Sequence, residues 1–123
     1  MSEQQAALTS EELARRVAET ALDKKARDLV VLDMRGVVSY TDFFVLCTGN
    51  TERQTQAIED AIYQGLKHSE DGRILPERVE GHTEARWILM DYLDCVVHIF
   101  TPAARDYYRL EMLWGEVPAL EVG

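Results

Sequence analysis

The side chains able to do chemistry are few and scattered. Three histidines, His68, His82 and His98, share no metal-ligand spacing with one another or with the two cysteines, Cys47 and Cys95. His98 sits between Val97 and Ile99, where a half-buried, hydrogen-bonded structural histidine is a better expectation than a catalyst. Both cysteines lie in apolar runs and read as small core residues suited to a reducing compartment. Nothing beside either one would activate a thiolate, although a Cys–His pair stays open at this level. The turn Thr48-Gly49-Asn50-Thr51 could present backbone amides to a phosphate. It lacks the lysine of a P-loop and the spaced glycines of a dinucleotide fingerprint, so a tight turn before a capped helix is expected. A nucleotidyltransferase would need a pair of metal-binding carboxylates after such a turn. Glu59 and Asp60 are adjacent and point apart on a helix. Asp91 and Asp94 flank a turn, where aspartate commonly serves local hydrogen bonding; a general acid–base pair is the alternative, with nothing else in the sequence to support it. No metal and no cofactor is expected.

One segment stands out by composition. Trp87-Ile88-Leu89-Met90-Asp91-Tyr92-Leu93 gathers large apolar groups, two aromatics and an acid. In a strand, Trp87 and Leu89 share one face and Ile88 and Met90 the other. Either both faces are covered within the domain or one meets a partner, and Trp, Tyr and Met are types favoured in interface cores.

The elements that must position these residues follow from periodicity. Thr9 with Glu12 forms a capping box, flanked by Leu8 and Leu13 as a hydrophobic staple. The stripe Leu13, Ala14, Val17, Ala18, Ala21 and Leu22 predicts an amphipathic helix, with Lys24, Lys25 and Arg27 in its last turn. Leu29–Leu32 and Asp42–Cys47 read as strands, the second apolar on both faces. Thr51 and Gln54 suggest a second capping box, opening a helix with Ala57, Ile58, Ala61, Ile62, Gly65 and Leu66 inward and Glu70-Asp71-Gly72 at its end. Ile74, Leu75 and Val79 around Pro76 suit an edge strand. Trp87–Met90 and Cys95–Phe100 form a hairpin across Asp91–Asp94. Thr101 and Pro102 start a last helix with Tyr107, Leu110, Leu113 and Trp114 inward. The expectation is an α/β fold, a mixed sheet flanked by helices. It forms a single domain over residues 1–123, with a core of about 8–117 and a loose tail at 118–123.

Composition sets the partner class. Of 123 residues, 13 are Lys or Arg and 22 are Asp or Glu, giving a net charge of −9. Phosphate neutralisation needs clustered cations, so sequence-independent nucleic-acid binding is disfavoured, as are anionic membranes. No apolar run reaches the roughly 20 residues of a membrane span, and Met1–Gln5 do not begin a signal peptide. A cytoplasmic location is expected. Acids outnumber arginines between Glu70 and Glu111, so an apolar patch there would select a basic protein surface.

These residues also carry a resemblance. Tyr40-Thr41-Asp42-Phe43-Phe44-Val45, the turn Thr48–Thr51 with Arg53, Glu80-Gly81, Trp87–Tyr92, Val96–Phe100, and Arg105 through Tyr107–Glu111 to Leu113-Trp114 are arranged as in the Iojap family of bacterial ribosomal silencing factors. The resemblance covers about residues 10–117. Two departures are Leu93, where the family often has glycine, and Cys95, where an aliphatic residue is usual. The resemblance implies a nucleotidyltransferase-like topology without the acidic metal site, and a non-enzymatic role. Such a factor binds the large ribosomal subunit through its fourteenth ribosomal protein, blocks joining of the small subunit, represses translation and is a homodimer when free. The binding hairpin maps onto Trp87, Ile88, Leu89, Met90, Asp91, Tyr92 and Asp94, with Tyr40, Asp42 and His98 as possible supports. A nucleotidyltransferase-like enzyme and a dimeric scaffold without a ribosomal role are the alternatives.

Overall fold

The computed structural model describes residues 8–109 and 117–120. Helix α1 (Ser10–Asp23) opens with the expected reciprocal box: the Glu12 amide donates to Thr9 Oγ1 at 3.1 Å and the Thr9 amide to Glu12 Oε1 at 2.8 Å. It stops before the basic cluster. Lys24 is the C-cap, Lys25 reverses the chain at φ 64°, and Arg27 already belongs to strand β1 (Arg27–Asp33), so none of the three lies in the last turn. Leu22 departs from the expected stripe and is 38% exposed.

Strand β2 (Phe43–Thr48) runs antiparallel to β1 and leads into α2 (Glu52–Lys67). Thr51 caps α2, but the second half of the expected box is diverted. Gln54 Oε1 accepts from the Asn50 amide, and its Nε2 donates to the carbonyls of Lys24 and Lys25 at 3.1 and 3.2 Å. Gln54 therefore ties the end of α1 to the start of α2. The buried stripe of α2 is Thr55, Ile58, Glu59, Ile62 and Leu66, while Ala57 and Gly65 face solvent. Glu70–Gly72 lie beyond the helix, whose C-cap is His68.

Strand β3 (Arg78–Glu80), β4 (Trp87–Asp91) and β5 (Cys95–Phe100) form an antiparallel meander. The return across α2 sets β5 parallel to β2, giving a mixed sheet. Thr101 caps α3 (Pro102–Tyr108) with Pro102 in its first turn. Residues 118–120 are not a loose tail. Pro118 accepts from the Asp33 amide at 2.8 Å, and β6 (Ala119–Leu120) pairs antiparallel with β1. The sheet order is β3-β4-β5-β2-β1-β6.

The position of each strand explains its composition. β5 and β2 are central and buried at every residue, which is why both read as continuous apolar runs. β3, preceded by Pro76, is an edge. Helices α1 and α2 cover one face of the sheet, packing Val17, Ile58 and Ile62 against Val45, Ile88, Val97 and Ile99. The opposite face carries a smaller cluster, Leu32, Phe44, Leu46, Val96 and Phe100, with Ala104 of α3 and Val117 against it. Tyr107 is 81% exposed rather than inward; Leu110, Leu113 and Trp114 lie outside the described residues.

Candidate interaction groove on the open sheet face

Alternation along β4 sorts its side chains onto two environments. Ile88 and Met90 are fully buried beneath the helices, whereas Trp87, Leu89 and Asp91 turn to the opposite face. Tyr92, just past the strand, is only 6% exposed and joins the helix-covered core. Ile88, Met90 and Tyr92, expected at the partner surface, are thus corrected to core positions; presenting them would require opening the domain. Asp94 is exposed at the hairpin, and its carbonyl accepts from the amides of Asp42 and Phe43 at 3.2 Å each. Asp42 supports the hairpin through its backbone. Leu93 holds the turn at φ 71° and its amide donates to Asp91 Oδ1 at 2.8 Å. The left-handed turn that glycine would permit forms with leucine instead.

The outward residues of β4 form part of a groove of about 440 Å³ lined by Tyr40, Phe44, Arg78, Trp87, Leu89, Asp91, Val96 and His98. Tyr40, 59% exposed, leans on Phe44 with ring centroids 6.1 Å apart. Trp87 stacks on Phe100 at 5.3 Å, and its position is fixed from behind by Gly81. Gly81 has φ +81°, and a Cβ there would lie 2.0 Å from the Trp87 carbonyl oxygen. A side chain at 81 would push the start of β4 away.

His98 forms the base of the groove, 5% exposed. The Trp87 indole N–H donates to its Nδ1 at 3.1 Å. An indole can only donate, so Nδ1 is the acceptor and the neutral ring carries its proton on Nε2. That Nε2 is buried and has no hydrogen-bond partner. Burial pushes the His98 pKa down to about 4, so the ring is neutral at physiological pH. The Tyr92 hydroxyl, in the helix-covered core, is likewise buried without a partner, so an unmet polar atom does not by itself set the groove apart.

The other candidate chemistry disperses. Cys47 and Cys95 belong to the helix-covered core, while His98 belongs to the aromatic cluster on the opposite face, so no Cys–His pair forms. Burial pushes the Cys47 thiol up to about 12 and raises Cys95 as well, suppressing both thiolates. In the Thr48–Thr51 turn the Gly49 amide donates to the Phe100 carbonyl and the Asn50 amide to Gln54, so neither is available to a phosphate. His82 bonds Glu59, a carboxylate 9% exposed on the inward face of α2. Among the described residues no three His, Cys, Asp or Glu side chains cluster as a metal site, and no helix is long and apolar enough to cross a membrane.

Arg78 is a groove residue that sequence reasoning missed. Its Cα partner across the β3–β4 ladder is Asp91. The signal was an arginine and an aspartate of opposite charge, unreadable until the register was known.

The family model described as ribosomal silencing factor during starvation matches residues 7–123. A ribosomal silencing factor RsfS of Halalkalibacterium halodurans is 40% identical over 94% of this chain and 96% of its own. A crystal structure of a Chromobacterium violaceum protein, 32% identical, superposes with a TM-score of 0.82 over 94% of this chain and 95% of that one. A more distant mouse relative, named mitochondrial assembly of ribosomal large subunit protein 1, is 30% identical over 74% of this chain and 40% of its own length. With nearly its whole length matched in sequence and the same fold in a solved relative, this chain belongs to the RsfS family of ribosomal silencing factors.

Proposed function

We propose that the protein binds the large ribosomal subunit through its fourteenth ribosomal protein and, by occupying the joining face, keeps the small subunit away and represses translation. The observation that carries this reading is the aromatic groove on the sheet face opposite α1 and α2, where Trp87, Leu89 and Tyr40 are solvent-accessible beside Asp91 and Asp94. Half-exposed aromatics next to carboxylates suit a basic protein surface, because the rings supply desolvated contact and the acids supply selectivity. A net charge of −9 favours exposed ribosomal protein over rRNA phosphate. The name borne by the mouse relative points to the same subunit.

In this reading Trp87, Leu89, Asp91 and Asp94 touch the partner, Tyr40 flanks them, and Asp42 and His98 hold the surface in shape. Inhibition is by volume, with no bond made or broken, and the site of action is wherever the ribosomes are, the cytoplasm of a bacterium. Off the ribosome the protein pairs as a homodimer, which equilibrium sedimentation over a concentration series checks.

The deciding experiment is sedimentation of purified subunits with and without the protein. Large subunits should carry it and fail to form whole ribosomes. Normal joining at saturating protein would refute steric silencing.

A further inference from the structure

Asp91 is a prepared cation acceptor with a loosely held occupant. One of its oxygens is anchored, accepting the Leu93 amide at 2.8 Å across the hairpin turn, which fixes the carboxylate's orientation. The other faces Arg78, whose Nε lies 3.6 Å away, too far for a hydrogen bond. Arg78 makes its shorter contact elsewhere, to Glu80 at 3.0 Å. The arginine side chain is 61% exposed, whereas the Asp91 side chain is 21% exposed. The fixed partner is the acid and the movable one is the base. Arg78 also lines the groove, in company with Tyr40 and Trp87, whose rings suit the stem and head of a long cationic side chain. The groove base adds no opposing charge, since His98 is neutral.

We propose that Arg78 is a built-in competitor for the groove: it occupies Asp91 in the free protein, and a lysine or arginine of the basic partner must displace it to dock. This rests on the groove being the ribosome-binding surface. The exchange swaps one solvent-exposed ion pair for one within an interface, so Arg78 raises the threshold for binding. A partner lacking a correctly placed cation gains nothing by entering, and the arginine thereby contributes to selectivity.

Titration of purified large subunits with the wild type, Arg78→Gln, Asp91→Asn and the double variant tests this. Arg73→Gln, an exposed arginine outside the groove lining, controls for the loss of one positive charge. Asp91→Asn should weaken binding. Arg78→Gln should tighten it by about two- to fivefold, the range set by a surface ion pair, and by more than Arg73→Gln does. In the Asp91→Asn background the Arg78→Gln gain should vanish. If Asp91→Asn weakens binding but Arg78→Gln leaves it unchanged or weakens it, Arg78 is no competitor and the docking surface survives. If Asp91→Asn has no effect, the acidic rim is not the contact and the competitor falls with it.

Discussion

The two faces of strand β4 run side by side for five residues and follow different rules. On the helix-covered face, Ile88 and Met90 are sealed in the hydrophobic cluster beneath α1 and α2, and the sheet's two thiols are held protonated. On the opposite face, Trp87, Leu89 and Asp91 border a groove whose base is a histidine with an unmet donor and whose edge is a loosely paired acid. The first face is sealed by the helices, although the Tyr92 hydroxyl is buried there without a hydrogen-bond partner. The second leaves Trp87, Leu89 and Asp91 half-exposed around the groove, and that exposure is why it is the face proposed to meet a partner.

Substitutions on the two faces should therefore separate stability from binding. The largest effect is expected from Ile88→Ala, which empties a fully buried site and should lower stability by about 2–5 kcal/mol in denaturant unfolding. The fraction that remains folded should bind large subunits with unchanged affinity. Loss of affinity in the folded fraction would erase the distinction between the faces. Trp87→Ala should do the reverse, weakening subunit binding tenfold or more, an effect of about 2 kcal/mol or larger for an interface anchor. If the domain instead unfolds as readily as Ile88→Ala, Trp87 belongs with the core.

A pH series sharpens the same comparison. The folded His98 pKa of about 4 lies below the ordinary 6.5, so the unfolded chain binds the extra proton more readily. Stability from this site is complete above pH 6.5 and is lost as the pH falls from there through 4, by about 2 kcal/mol at pH 5. Carboxylates titrate in part of that window, so the wild-type Tm should be compared with that of His98→Phe at pH 7 and pH 5. The variant should lose less on acidification; parallel losses would mean the ring is better solvated than its burial implies. The smallest effect is expected at the hairpin. Leu93→Gly removes a leucine from a left-handed conformation costing about 1–2 kcal/mol but adds chain entropy to the unfolded state worth about 0.5–1 kcal/mol, for a net gain of about 0–1.5 kcal/mol. A clear fall in Tm would show that the exposed leucine contributes contacts that outweigh its strain.

Much of this fold could be read directly. The Thr9–Glu12 box, the Thr101-Pro102 start and the hairpin between β4 and β5 are local, depending on residues within a few positions of one another. The segment proposed to face a partner was legible as a place but not as a surface. Composition singled out Trp87–Leu93, yet three of its seven side chains, Ile88, Met90 and Tyr92, belong to the core, and composition is blind to that division. The stripe of α2 was misplaced by the same limit: Ala57 and Gly65 looked inward by hydrophobicity, while Thr55 and Glu59 turned in because the Ala85 carbonyl and His82 met them there. Both partners sit in the loop after β3, far along the chain.

The amino-acid sequence by itself determined the alternation of β4, the continuous apolar runs of the two central strands, the acidic charge and the family. Each of these follows from side-chain type and short-range period, which need no knowledge of distant neighbours. Only the tertiary structure decided which side of the alternation is covered, that residues 119–120 close the sheet as a strand beside β1, that Trp87 fixes the tautomer of His98, and that Arg78 stands opposite Asp91. A period assigns residues to two sides, and only the packing of helices and the register between strands determines which side is interior and which charges meet across the ladder.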